Sequence, residues 1–179
     1  MLFLNLWAIF LLFLVQLKTA MCKNYGDAMV WDLALCHGHN YVIDGDLVVR
    51  NDTKGQSVKI RLNLKNDFDN ENKYSCKFFT KVNNKSKQLL HMNAKGACTA
   101  LTKYGGKFWQ DVETRANIPS PGSCPIKAKI YYLDWMKIQY KDIPFLALVP
   151  KGNYRVECNL YDNTGQDVKA CLTFDVAKL

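Results

Sequence analysis

Along "SVKIRLNLK" (57–65), Val58, Ile60, Leu62 and Leu64 alternate with polar Ser57, Lys59, Arg61 and Asn63. A period of two puts the apolar set on one face of a strand and the polar set on the other. Runs of the same kind lie at 41–50, 73–82, 87–92, 125–140, 153–162 and 167–176, separated by turns rich in Gly, Asn and Asp. In 153–162, Tyr154, Val156, Cys158 and Leu160 form the apolar row, and Arg155, Glu157 and Asn159 the wet one. Short strands at this spacing predict a mainly β protein, an antiparallel two-sheet β-sandwich. One stretch departs from the pattern. In 97–116, Leu101, Tyr104, Phe108 and Val112 recur at helical spacing, which predicts a short helical segment near 98–112. Gly105-Gly106 would weaken a single long helix, so one or two short helices are expected. The chain has no internal repeat and no linker.

The amino terminus adds a location. Leu2–Leu17 is nearly all apolar, is followed by Lys18 and small residues, and is shorter than the roughly 20 residues of a spanning helix. It reads as a secretory signal peptide over 1–22, because cleavage after Cys22 places Ala20 at the small-residue position. Residues 23–179 then form a single secreted, extracellular domain. Removing Cys22 leaves six cysteines, Cys36, Cys76, Cys98, Cys124, Cys158 and Cys171, an even set that predicts three disulfides among 15 connectivities. Export also makes the sequons at Asn51 and Asn84 candidate glycosylation sites.

Charge and side-chain inventory narrow the chemistry. The chain is basic, with 24 Lys+Arg against 16 Asp+Glu, a formal net charge of +8. Its lysines are spread singly through strand-like runs, with no arginine cluster, so no nucleic-acid partner is expected. Weak attraction to acidic surfaces is. His37 and His39 could offer two metal nitrogens, but only His91 remains as a further histidine, and no metal or cofactor is expected. "YGGK" (104–107) lacks the spacing of a phosphate-binding loop and reads as a helix break. No nucleophile elbow appears, and cysteines in an oxidising compartment are bridge partners rather than thiolates. The inventory points away from an enzyme.

The carboxy-terminal third, "SCPIKAKIYYLDWMKIQYKDIPFLALVPKGNYRVECNLYDNTGQDVKACLTF", resembles the ganglioside activator-like branch of the ML lipid-recognition domains. A Cys-Pro-Ile-Lys start, an Ile-Pro loop carrying bulky apolar residues, Gly-Asn-Tyr-Arg leading the next strand and a last cysteine-bearing strand carry the likeness. "VWDLALC" (30–36) is similar to the family's opening element, with two extra residues between Asp32 and Cys36. Secreted insect chemosensory and pheromone-related relatives share the layout. The resemblance implies a cup-like, immunoglobulin-like sandwich whose two sheets part around an apolar cavity. It pairs Cys36 with Cys171 and Cys98 with Cys124, leaving Cys76 and Cys158 for each other. Cys158 is an addition to the activator's pattern, and the activator's extra bridges near 98–124 are missing.

On that reading the protein is a secreted carrier of a lipid or other hydrophobic small molecule. Tyr154, Val156 and Leu160 would line the cavity, Phe108, Trp109 and Trp135 would stand near its mouth, and Phe145, Leu146 and Leu148 would form a lip that dips transiently into a membrane surface. An alternating apolar row is equally the mark of a filled core. The alternative is therefore a secreted receptor-interacting or effector protein with a packed sandwich.

Overall fold

The computed structural model describes residues 28–36, 38, 41–53, 55–82 and 85–178. The signal peptide with Cys22, the Asn84 sequon, and His37 and His39 lie outside the described residues.

Among the described residues there are eight strands: β1 Ala28–Leu35, β2 Ile43–Asp52, β3 Gly55–Leu64, β4 Lys73–Val82, β5 Lys85–Lys95, β6 Ile130–Lys137, β7 Gly152–Tyr161 and β8 Val168–Lys178. They form a five-stranded sheet in the order β1-β8-β7-β4-β5 and a three-stranded sheet in the order β2-β3-β6. Every pairing is antiparallel. The protein is a mainly β, two-sheet sandwich. Helix α1, Ala97–Arg115, joins the edge strand β5 to the loop that leads into β6. A single 3-10 turn, Tyr140–Asp142, and one α-turn, α2 Phe145–Leu148, join β6 to β7. Among the described residues no helix is long and apolar enough to cross a membrane.

The alternation in β3 is realised as the sequence predicts: Val58 and Leu64 are buried, Ile60 and Leu62 pack against the core, and Lys59 and Arg61 point to solvent. From the facing sheet come Phe78, Val156, Val176 and Tyr154, and one apolar cluster spans both sheets. The helix breaks where two glycines stand, with Gly106 at φ 56° and ψ −140° inside an otherwise helical run. Its Phe108, Trp109 and Val112 face the core.

Strand β1 is the element that alternation least announces. Asp32 sits at φ 51°, a left-handed conformation uncommon outside glycine, and the β1–β8 register slips between Trp31 and Ala34. The apolar-polar rhythm of "VWDLALC" is broken at that bulge.

Among the described residues three disulfides form: Cys36–Cys171, Cys98–Cys124 and Cys76–Cys158. The first two are the pairs that the resemblance implies, and the third joins the two cysteines it leaves over. Cys36–Cys171 ties the end of β1 to β8, Cys98–Cys124 ties the first turn of α1 to the loop before β6, and Cys76–Cys158 bridges neighbouring strands of the large sheet.

Candidate functional site: the interior and its rim

The interior is built from facing rows. On β7, Tyr154, Val156 and Leu160 are 6%, 1% and 8% exposed, while Arg155 points outward to an ion pair with Asp175. Val156 stands opposite Phe78 on β4 and Phe174 on β8, so the middle of the large sheet presents large apolar side chains. The small sheet answers with Val58, Tyr131, Leu133 and Met136. Leu160 lies apart, in a smaller cluster with Ala97 and Ala170 near the start of α1. The row is packed.

The segment expected to form a lip divides. Leu146 is buried, and Phe145 is half-buried with its ring 5.1 Å from that of Phe78. Leu148, 58% exposed, points to solvent. An α-turn causes the split, because at 100° per residue neighbours 146 and 148 cannot share a face. Lys178, at the end of β8, donates its ammonium to the carbonyl oxygens of Leu146 at 2.7 Å and Val149 at 2.6 Å, holding the turn down.

Trp135 also departs from the expected place. Continued alternation from Tyr131 and Leu133 would point it inward. A bulge intervenes: β3 advances two residues from Val58 to Ile60 while β6 spans three, Leu133 to Met136. Met136 therefore takes the inward position and Trp135 turns to the outer face, where the Arg50 guanidinium lies 4.1 Å from its ring centroid. Ser57, between Arg50 and Lys137 in register, is small enough to let the arginine reach across. Phe108 and Trp109 remain with the interior.

Two buried polar groups organise the rim, and alternation alone identifies neither. Gln56, 2% exposed, accepts from the Val30 backbone N–H at 2.8 Å and donates to the Val30 carbonyl at 2.8 Å. Its amide also donates to the Asn51 side-chain oxygen and accepts from the Tyr140 hydroxyl. Burial pushes the Tyr140 phenol well above its ordinary range. Glu113, 0% exposed, accepts from the Trp109 indole N–H at 2.8 Å and from the Gly122 backbone N–H at 2.6 Å. It thereby fixes both an aromatic ring of the interior and the loop after α1. The sequence signal for Glu113 is its place one turn after Trp109 on the apolar face of a helix.

Two concavities stand out, both away from the centre of the sandwich. A slot of about 360 Å³ runs between the facing edges of β1 and β2, lined by Val30, Trp31, Leu33, Leu47, Val48 and Val49 with Asp32 and Asn51. Val30, Leu33 and Val49 also pack on the central cluster, so slot and interior share walls. The other, about 290 Å³, has Ile43, Phe68 and Leu160 beneath a polar rim that includes Asp67, Asp69 and Asp162. Those carboxylates are engaged locally: Asp67 by Lys127 and the Ala128 N–H, Asp69 by Asn72, and Asp162 by the turn at 164–166.

Among the described residues no three His, Cys, Asp or Glu side chains are grouped to hold a metal. His91 lies on β5 with its Nε2 2.8 Å from the Ser75 hydroxyl. Asn51 is exposed at the end of β2, its side-chain oxygen taken by Gln56.

The fold and its rim define a disulfide-held, two-sheet antiparallel sandwich with an apolar interior. Residues 74–156, from β4 to β7, match a family described as "Protein of unknown function (DUF1091)". No curated protein matches the chain. Among solved structures, the crystal structure of chicken MD-1 complexed with lipid IVa is similar at 16% identity, covering 83% of this chain and 98% of that one, with a TM-score of 0.34.

Proposed function

We propose that the protein is a secreted, non-enzymatic carrier of ML type that binds a lipid or other hydrophobic small molecule between its two sheets. The observation that carries this reading is the slot between β1 and β2, whose walls Val30, Leu33 and Val49 also pack against the central cluster. At about 360 Å³ it falls within the range of small-ligand sites, and six of its eight lining residues are apolar. A hydrocarbon tail entering there and wedging the sheets apart gains roughly 0.8 kcal/mol for each methylene removed from water. The cost is repacking of the Tyr154, Val156 and Leu160 row. The domain is read as residues 23–179 after removal of a signal peptide, with glycan acceptors at Asn51 and Asn84. Chemosensory or pheromone transport is the use that the resemblance suggests. Leu148 supports a transient membrane contact, being the exposed apolar residue of its turn.

A second reading is favoured by the burial of Tyr154 and Val156 at 6% and 1%: a filled sandwich that acts as a receptor-interacting or effector protein through its surface. Native mass spectrometry of the protein secreted from eukaryotic cells separates the two. The carrier is expected to hold a nonprotein mass that organic extraction removes, and to take up a fluorescent fatty acid once emptied. A bare polypeptide mass together with no uptake of the probe overturns the carrier reading.

A further inference from the structure

The hairpin β4–β5, residues 73–95, contains six lysines, one histidine and no aspartate or glutamate. It accounts for six of the chain's eight net positive charges, so the remainder of the molecule is close to balanced. Lys73 and Lys77 on β4 stand in register with Lys95 and His91 on β5. They point away from the core, since Phe78, next to Lys77 along β4, is buried on the opposite side against Val156. Lys85 and Lys87 are exposed near the turn but stand in register with Val82 and Thr80, on the other side of the ribbon. No ion pair among the described residues uses a hairpin lysine; Lys73 donates to the Thr164 carbonyl. The nearest acid in register is Glu157, opposite Lys77 and the single carboxylate of β7.

Edge strands often carry lysine to block pairing with other sheets. That accounts for β5 but not for β4, which lies inside the sheet between β5 and β7. The charge is all lysine. An arginine fork would suit bidentate recognition of single phosphates or sulfates, whereas lysines act as hydrated point charges over an extended surface. At the bulge in β5 where the register with β4 slips, Leu89 is 50% exposed among these charges.

We propose that the outer face of the β4–β5 hairpin is a docking surface for an anionic phospholipid bilayer, with Lys73, Lys77 and Lys95 over the headgroups and Leu89 as apolar anchor. The proposal rests on the carrier reading for its purpose, which is to bring the protein to a membrane that supplies or receives its ligand. The field is felt within about 10 Å at moderate ionic strength, so the contact forms at the surface and dissolves as salt rises.

The test is co-sedimentation with phosphatidylcholine vesicles made with and without phosphatidylserine, at low and high salt. The parent protein is expected to bind only the anionic vesicles, and to be released by salt. The variant Lys73→Ser, Lys77→Ser, Lys95→Ser should bind about 100-fold more weakly, at roughly fivefold per lysine. The variant Lys129→Ser, Lys137→Ser, Lys151→Ser removes the same charge elsewhere and should bind within a few-fold of the parent. Equal loss in both variants overturns the proposal, because net charge rather than the hairpin would then be at work. No binding to anionic vesicles, or retention on immobilised heparin without vesicle binding, overturns it as well. Vesicle binding needs no interior ligand. Intact docking without fatty-acid uptake therefore removes the carrier reading alone, and intact uptake from solution without docking removes the hairpin proposal alone.

Discussion

Pro144 lies against Gly106 so closely that a Cβ built on the glycine would stand 2.4 Å from the proline Cδ and 2.7 Å from its Cγ. The kink of α1 and the segment before α2 are thus fitted to each other, and glycine is required twice, by space and by its φ of 56°. Gly106→Ala is expected to destabilise the protein by at least about 2 kcal/mol, combining backbone strain with the clash. Urea titration followed by circular dichroism measures it. A change below half a kilocalorie would mean that the two segments do not press on each other in solution.

The division of the 143–149 segment predicts opposite behaviour for two leucines two residues apart. Leu146→Ser should lower stability by roughly 2–4 kcal/mol, because it opens a cavity and buries a hydroxyl. Leu148→Ser should stay within about 0.5 kcal/mol of the parent, as exposed positions usually do. If the turn contacts membranes, Leu148→Ser slows lipid transfer from vesicles while leaving the melting temperature unchanged. Equal thermal loss in the two variants would refute the placement of the turn.

Glu113 supplies the acceptor for both Trp109 and the Gly122 N–H. Glu113→Leu leaves the half-buried Trp109 indole N–H and the Gly122 N–H without this acceptor, and a loss of roughly 1–3 kcal/mol is expected. The emission of Trp109 should shift in the same variant, read in a background where the other tryptophans are phenylalanine. Unchanged emission and stability would remove the role assigned to the carboxylate.

Burial raises the Tyr140 phenol above its ordinary range, which gives stability a definite alkaline slope. Below the unfolded-state pKa of about 10 the phenol is protonated in both states and the contribution is complete. As pH climbs past 10 the unfolded chain releases the proton while the folded one retains it, so stability falls. In Tyr140→Phe this part of the slope should disappear, and stability at neutral pH should drop by about 1–2 kcal/mol with the lost bond to Gln56. Thermal melts between neutral pH and pH 11 provide the comparison. An unaltered alkaline slope in the variant would assign the titration to another group.

The sequence made most of the scaffold legible through alternation, because a strand with one wet face must alternate. β3 and β7 are the clearest instances. The glycine pair at 105–106 likewise announced the break in α1. Position-by-position reading failed where the count slips. One extra residue in β6 sends Trp135 outward, and nothing local in "IYYLDWMK" marks the bulge. The turn at 145–148 divides an apolar run that reads as uniform. Gln56, polar and next to a turn, gives no sign that it is buried, because its partners are 26 and 84 residues away. Lys73, Lys77 and Lys95 look scattered along the chain and share one face only when β4 and β5 pair.

The Gln56 amide meets both the N–H and the carbonyl of Val30, the two groups with which β1 would otherwise recruit a neighbour. Were backbone atoms of β2 to take that place, the two sheets would merge along this margin and the sandwich would begin to curl into a barrel, its strands locked in one continuous ladder. A side chain there instead keeps β1 satisfied while leaving β2 unattached to it. Parting the sheets at this margin then requires these side-chain bonds and the backbone bond from Val42 to Lys169 to give way, and leaves the ladders within each sheet whole.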